Sequence, residues 1–463
     1  MSDSKSQPNF LWIYGEDLSP DLACYGTPVV QTPNLDRLAA EGARYTNAFV
    51  TCSVCSPSRS AIITGTYQVS FDAHNHRSNR DKPLRQEMQL ITDCFRSAGY
   101  FTSNSPGPPY NRAGKTDFNF VAENPFDGID WSQRADGQPF YAQINIPVTH
   151  RDFVPDLNRP IDPEDVEIPP YYPNHPITHK DWAMYLESIQ VLDRRVGWIL
   201  KRLDEENLTE NTVIFFMSDH GRAHPRGKQF LYDGGTRIPL IVRWPDKIEA
   251  GTIVEDLVSG VDFAPTTLSI SGLEVPDFMQ GQIFLGEQEA NQRRAVFSAR
   301  DRCDETDDRI RAARNKRFKY IRNYYPDRPY TQFNAYKKNQ YPVLTLMEVL
   351  HDQGKLTSEQ DQFMAETRPV EEFYDLESDP YELNNLIEHS DLQDQVARLK
   401  HELDQWIHQT GDMGAIPESE EIATAWDQQM ANQFSKWMQE KGLSAEIDNL
   451  TYLDWWEQQL GCD

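Results

Sequence analysis

"NFLWIYGED", residues 9–17, decides the fold. The run NFLWIY (9–14) is compact and apolar, bounded by glycine, and empties into the acidic pair Glu16-Asp17. A short apolar run with such an end reads as a buried strand. Downstream, TPNLDRLAAEG (32–42) offers Thr32 as N-cap, Pro33 at the first helical position and Gly42 as a stop. Strand, loop and helix is the simplest order. The pattern recurs in QLITDCFRSAGYFTS (89–103), in the strand-like PFYAQINIPVTH (139–150) and in the long helical segment HKDWAMYLESIQVLDRRVGWILKRLDEEN (179–207). TVIFFMSDHG (212–221) is a second buried strand, emptying into Asp219-His220, and RIPLIVRW (237–244) follows it. This alternation predicts an α/β fold with a large mixed, mostly parallel sheet flanked by helices. Ligands bind outside the carboxyl ends of strands in such sheets, which is where the polar pairs fall.

After about residue 290 the texture changes. AARNKRFKYIRNYY (312–325) alternates basic with apolar or aromatic residues, as an exposed antiparallel strand pair does; EEFYDLESDPYELNNL (371–386) reads as a turn-rich connector. SDLQDQVARLKHELDQWIHQT (390–410) is an amphipathic helix. The expectation is a catalytic domain over 1–307 and a smaller C-terminal α+β domain, antiparallel sheet plus helix, over 308–463 that completes the pocket.

The chain has 463 residues and a net charge of −27. That average field repels nucleic acid and anionic membrane surfaces, so neither is an expected partner. It leaves room for an anionic substrate, because clustered cations and a metal reverse the potential inside a cleft. Six cysteines (24, 52, 55, 94, 303 and 462) are too sparse for a disulfide scaffold. Cys52 and Cys55 have the spacing of a redox pair or half a zinc site, but no second such pair completes four ligands. MSDSKSQPNF lacks the apolar core of a signal peptide, and no apolar run reaches membrane-spanning length.

Glu16, Asp17, Asp219 and His220 stand after two strands that the sheet would bring together. Carboxylates from separate loops suit a hard divalent cation, calcium before magnesium, whereas one imidazole among oxygens leaves a softer metal open. The competing reading makes them solvated loop acids or helix caps. TCSVCSPSRSAIITG (51–65) poses a sharper question. A turn into a buried helix accounts for Cys55 as a small core residue. It leaves Arg59 unexplained.

CSPSRSAIITG (55–65) resembles the signature of the type I sulfatases, in which Cys-x-Pro-Ser-Arg and a following Thr-Gly direct oxidation of the cysteine to formylglycine. NFLWIYGEDLSPDLACYG, TPNLDRLAAEGARYTNAF, SDHG, GGTRIPLIVRWP and FYDLESDPYELNNL resemble successive blocks of that family, in family order, from residue 9 to about 386. The Glu-Asp-x-Ser-Pro start and TGTYQVSFDAHNHR (64–77) are most similar to the heparan N-sulfatase-like branch, which also holds bacterial polysaccharide enzymes. The resemblance implies an alkaline-phosphatase-like fold and a formylglycine at Cys55, installed by a maturation enzyme. One hydroxyl of its hydrate attacks sulfur and the second expels sulfate. A thiol has no second hydroxyl and would stall after one turnover. The resemblance further makes Glu16, Asp17, Asp219 and His220 the ligands of calcium or another divalent metal. Arg59 becomes the support of nucleophile and ligands, Lys115 and Lys228 the sulfate contacts, and His150 the proton donor to the leaving atom. Read on their own, Lys115 and Lys228 are equally surface lysines, and His150 a hydrogen-bonded strand-end residue. Relatives are usually exported, which implies a periplasmic or extracellular bacterial location with any signal peptide absent from this chain; a cytoplasmic one stays open.

Two positions depart from the family pattern. Asp117 stands where many members have a histidine, so either another histidine substitutes, with His74 or His76 as candidates, or this subgroup handles that proton differently. Glu16 stands where many have aspartate. His74, His76 and Arg77, with Arg300 and Arg302 of SARDRCDE (298–305), are placed to line a pocket mouth and fork onto sulfate or carboxylate groups. Alternatively Arg300 and Arg302 pair with acidic neighbours such as Asp301 and Asp304. The expected substrate is a sulfated saccharide, O- or N-sulfated, read as one terminal sugar or a short oligosaccharide in a compact pocket. Rival functions are a phosphate or phosphonate ester hydrolase on the same scaffold, and a non-catalytic binder of sulfated glycans.

Overall fold

Strand β1 (Asn9–Gly15) shows why its sequence is apolar without a break. Phe10, Trp12 and Tyr14 enter one buried layer, and Leu11 and Ile13 enter another on the opposite face. Side chains alternate along a strand, so apolar residues at every position need cover on both sides. The structure, a computed structural model, describes residues 7–462.

Six further strands complete the main sheet: β2 (Ala43–Phe49), β3 (Phe101–Ser105), β4 (Phe140–Ile146), β5 (Thr212–Ser218), β6 (Arg237–Arg243) and β7 (Thr252–Ser259). Their order is β3-β4-β1-β5-β6-β2-β7. Neighbours are parallel except around β6, which runs against both β5 and β2. Register places Gly15 opposite Ile146 on one side and Ser218 on the other. The carboxyl ends of β4, β1 and β5 therefore lie side by side.

Helices α1 (Pro33–Glu41), α2 (Cys55–Thr64), α3 (Ile91–Ser97) and α4 (Pro176–Glu205) cover the faces. Leu35 and Leu38 of α1 join Ile189, Leu192 and Val196 of α4 over Leu11 and Ile13. Ile62 and Ile63 of α2 join Phe95 of α3 over Trp12 and Phe215.

The start of α1 departs from the sequence expectation. Thr32 occupies the cap position, but its hydroxyl donates to Asp36 and accepts from Ala23 N. The free N–H groups of Asn34 and Leu35 are taken by Asp193 of α4, at 3.0 and 2.8 Å. The cap is tertiary. Gly42 does stop the helix, through close approach: a Cβ there would meet the Val242 carbonyl oxygen at 2.3 Å.

A second sheet, in the order β11-β10-β9-β8, is antiparallel throughout: β8 (Val296–Arg300), β9 (Ile310–Arg314), β10 (Phe318–Asn323) and β11 (Glu371–Asp375). It begins before residue 308. The strand pair expected in 312–325 is present, but its faces are buried. Its basic side chains are paired: Arg311 with Asp301 and Asp412, Lys319 with Asp233 and Glu382. The segment read as a connector opens as β11, and Gln393–Thr410 forms the expected helix, with Leu399, Leu403 and Trp406 against Tyr320 and Phe373. Two further helices, Glu420–Glu440 and Asn449–Leu460, pack through Met430, Phe434, Met438 and Tyr452. No helix of the described residues is long and apolar enough to cross a membrane.

Asp193→Ala leaves two N–H groups at the start of α1 without their carboxylate. The expected loss is about 2 kcal/mol, read as a lower denaturant midpoint; an unchanged midpoint contradicts the tertiary cap.

Candidate active site

Glu16 and Asp17 extend β1 and Asp219 and His220 extend β5, so parallel pairing of these strands sets the two pairs beside each other. All four are buried. The loops are stitched together by Leu18 N donating to the His220 carbonyl at 3.0 Å and Asp17 N donating to Asp219 Oδ1 at 3.1 Å. Asp17 takes a left-handed backbone, φ 51°, uncommon for a residue with a Cβ and frequent at functional sites.

The N-terminus of α2 points into this cluster. All ten residues of α2 are buried, and the helix closes at Thr64 with Gly65 in the left-handed region, φ 63°. Cys55 heads it, with Sγ 3.2 Å from His220 Nε2. Arg59 lies one turn on, on the same face. Its Nε is 2.8 Å from Asp219 Oδ2, Nη2 is 3.3 Å from Glu16 Oε1, and Nη1 donates to Asn145 Oδ1 at 2.7 Å. Ser58 Oγ donates to the Asp219 carbonyl at 2.5 Å, pinning the helix to the β5 loop.

The two lysines arrive from separate loops. Lys115 Nζ stands 3.1 Å from Glu16 Oε2, and Lys228 Nζ 2.7 Å from Asp17 Oδ2. His150 follows the short turn after β4, with Nε2 4.0 Å from Asp17 Oδ2. Its Nδ1 lies 2.6 Å from the Arg151 carbonyl, so Nδ1 holds the proton and Nε2 faces the cluster. Asp17, Cys55, Asp219 and His220 each place one ligand atom within 4.8 Å of the others. Glu16 stands outside that group, between Arg59 and Lys115.

Charge decides the protonation states. Burial works against ionised Asp17, yet Lys228, His150 and His220 hold its pKa down at about 2. Burial works against a charged His220 as well, but Asp219 and Asp17 raise it to about 9. The Cys55 thiolate is opposed by burial and favoured by Lys115, Lys228 and His220, which leave the thiol below its ordinary value. His150 is pushed below the usual imidazole range by burial together with Lys228 and Lys115, against the pull of Asp17.

A cavity of about 430 Å³ opens over Cys55, with His150, Lys228, Gln229 and Tyr336 along it. His76 and Arg77 line it, as expected of a pocket mouth. His74 does not, and sits buried beside Asp72 and Asn75. Arg300 and Arg302 lie inside the fold on acidic neighbours, the alternative reading of the two, and not along the cavity. Arg300 is 3.2 Å from Asp308, and Arg302 binds Glu418 and the Asp304 carbonyl. Asp117, at the position where a histidine was expected, receives both Arg77 and Arg80. His76 has no contact with Cys55 among the described residues; it stands 3.9 Å from Asp304, and burial with Arg77 drives its pKa well down.

Sequence reading missed Asn145, Arg80, Gln229, Tyr336 and the helix Glu420–Glu440, whose Trp426, Met430 and Trp437 roof the cavity. Asn145 carried a signal, as a polar residue inside an apolar strand. The tryptophans, spaced for a helix, look like ordinary core.

The sulfatase family model matches residues 8–273, and the N-sulphoglucosamine sulphohydrolase C-terminal model matches residues 224–357. An ulvan-active sulfatase of Formosa agariphila is 36% identical over 477 residues, covering 91% of this chain and 78% of that protein. Human N-sulphoglucosamine sulphohydrolase is 25% identical over 462 residues, covering 87% of this chain and 90% of its own. Among solved structures, a protein in complex with its substrate D-glucosamine-2-N,6-O-disulfate superposes with TM-score 0.65 at 19% identity, over 88% of this chain and 98% of that one. A phosphonate monoester hydrolase from Silicibacter pomeroyi reaches 0.64 at 18% identity, over 90% and 98%.

Of Cys24, Cys52, Cys55 and Cys94 in the unmatured protein, Cys55 is expected to react first with iodoacetamide, because burial pushes Cys24 and Cys52 up to about 12 and Cys94 to about 11 while the Cys55 thiol lies below its ordinary value. Its labelling rate levels off at a lower pH than that of a free thiol. Peptide mass spectrometry showing Cys94 or Cys24 labelled ahead of Cys55 contradicts this. Sequence blocks, sheet and matched models agree: the chain belongs to the sulfatase family, on its heparan N-sulfatase-like branch with the alkaline-phosphatase-like fold, and is a sulfuric ester hydrolase.

Proposed function

We propose that the chain removes sulfate from a sulfated carbohydrate, as a sulfate ester or N-sulfate, at the cavity over Cys55. The observation that carries the reading is the meeting of Cys55 with Asp17, Asp219 and His220 within 4.8 Å, flanked by Lys115 and Lys228. The carbohydrate class is supported by relatives named for ulvan and for N-sulphoglucosamine.

The donor set fits a divalent ion. Asp17 Oδ1 is buried with no hydrogen-bond partner, and two carboxylates favour a hard ion such as calcium. Asp17, Asp219 and His220 would hold it, with Glu16 at the margin. When bound, the ion draws charge from sulfate and nucleophile, and the aldehyde hydrate of matured Cys55 supplies the attacking oxygen. Around that centre the chain's own groups divide the work. Arg59 keeps Asp219 and Glu16 oriented and binds at the foot of Cys55. Lys115 and Lys228 place fixed positive charge where sulfate oxygens gather it. His150, its Nδ1 proton held by the Arg151 carbonyl, exchanges a proton with the leaving oxygen or nitrogen through Nε2. The proposed second domain, 308–463 joined by β8 from before it, supplies Tyr336 and the roof of the pocket.

The test is sulfate release, by ion chromatography, from ulvan oligosaccharides, N-sulfoglucosamine and an aryl sulfate, using protein co-expressed with a formylglycine-generating enzyme. Turnover of at least one is expected, and Cys55→Ala should lower it at least about 10³-fold. Faster turnover of the matched aryl phosphate favours the phosphate or phosphonate ester hydrolase; glycan affinity with no turnover favours a binding protein.

Metal loading has its own readout. Calcium titrated calorimetrically is expected to bind wild type, and Asp17→Asn to weaken that binding by at least about tenfold. Equal affinity in the two proteins removes Asp17 from the ligand set.

A further inference from the structure

The ceiling of the Cys55 cavity has features that desulfation alone does not require. It is built by the helix Glu420–Glu440, which lies outside both matched family segments. Met430, Phe434 and Met438 anchor this helix in an apolar cluster with Ala335 and Tyr452. Trp426 and Trp437 sit at the edge of that cluster, half-buried, and line the cavity. The anchoring falls to Met430, Phe434 and Met438, which leaves part of each indole facing the cavity.

The two indoles are held differently. Arg302 lies over the Trp426 ring at 4.9 Å and binds Glu418, just before the helix starts. Trp437 has no aromatic or cationic partner among the described residues. On the walls below, polar atoms await partners. Gln229 is 2% exposed, takes a left-handed backbone at φ 75°, and its Oε1 accepts no hydrogen bond. Tyr336 Oη is buried and equally unpartnered. Leaving a buried polar group unsatisfied is costly, and a ligand's hydroxyls would relieve that cost.

The opposite wall carries fixed cations. Arg77 and Arg80 both line the cavity and both bind Asp117, Arg77 at 3.0 Å. Asp304 also lines it, so two guanidiniums face two carboxylates, and an incoming anion would share the arginine donors with Asp117.

We propose that the helix Glu420–Glu440 closes a saccharide-reading subsite over Cys55. In it Trp426 and Trp437 stack on sugar rings, Gln229 and Tyr336 bond sugar hydroxyls, and the Asp117-held Arg77–Arg80 pair binds a second anionic group of the same saccharide. Apolar faces with a few fixed polar groups are the usual make-up of such a site, and the cavity volume is in range for a short saccharide. The second anion is a carboxylate or another sulfate, which the arginine fork binds alike. The proposal rests on the reading of the Cys55 cavity as the desulfation site.

The experiment measures binding in a Cys55→Ala background, where no turnover intervenes. Probes are ulvan oligosaccharides with their carboxyl groups intact or reduced, and glucosamine carrying a 2-N-sulfate alone or 2-N,6-O-disulfate. For the tightest probe, Trp437→Ala and Trp426→Ala are each expected to weaken Kd about tenfold. Trp437→Phe, which keeps a ring, should recover most of that loss, separating stacking from misfolding. The Arg77→Ala/Arg80→Ala double variant should erase the preference for the probe with the second anion. Trp437→Ala binding like wild type, an anion preference indifferent to the arginines, or no binding of any probe overturns the proposal. If these losses appear but matured wild type releases no sulfate from any probe, the subsite stands and the sulfatase reading of the cavity falls. Sulfate release with tryptophan-independent binding does the reverse.

Discussion

A single buried guanidinium holds the working end of the sheet together. Arg59 reaches Glu16 after β1, Asn145 within β4 and Asp219 after β5, while its backbone belongs to α2. Removing an ion from water costs several kcal/mol, which good geometry and full pairing must offset. Arg59 therefore has little freedom, and neither do the elements it joins. The placement of Cys55 follows, because one helical turn separates the two residues. Stacking of Arg59 over Tyr14, at 5.3 Å, extends the constraint into the apolar layer beneath.

The same accounting explains the lysines. Three carboxylates, Glu16, Asp17 and Asp219, meet three permanent cations, Arg59, Lys115 and Lys228, in a largely buried space. The cations are fixed by the acids they neutralise, so they stand ready for a sulfate group without reorganisation. That Asp219 and Asp17 still lift His220 to about 9 shows the cluster favouring further positive charge. Structure and proposed chemistry meet here: acids and cations balance in the resting arrangement, so a divalent ion would take over Asp17 and Asp219 and free the lysines for an anion.

Much of this was legible in the sequence, for identifiable reasons. Strands covered on both faces are apolar at every position, so β1 and β5 announced themselves and their acidic ends fell at the correct edge. What misled was pairing across distance. The start of α1 is capped by Asp193, some 160 positions away, which no local motif reveals. Lys319 and Arg314 looked solvated because their partner Asp233 is 86 and 81 residues distant in sequence. Residue type left Arg300 and Arg302 open between a pocket mouth and acidic neighbours; burial favours the second, with Asp308 and Glu418 beside them. The helix Glu420–Glu440 escaped notice because an apolar stripe at helical spacing carries no sign of what its edge residues face.

The net charge of −27 and a cavity lined by Arg77, Arg80 and Lys228 act over different distances. Surface charges are screened over a Debye length of about 8 Å at physiological salt, while paired charges inside the fold are screened far less. An anionic saccharide thus meets repulsion over most of the surface and attraction only at the cavity. A long polyanion would lie along that repelling surface for most of its length. A chain end or short oligosaccharide that entered beneath Trp426 and Trp437 would escape it, so under the proposed reading the acidic exterior and the roofed cavity would together favour compact substrates.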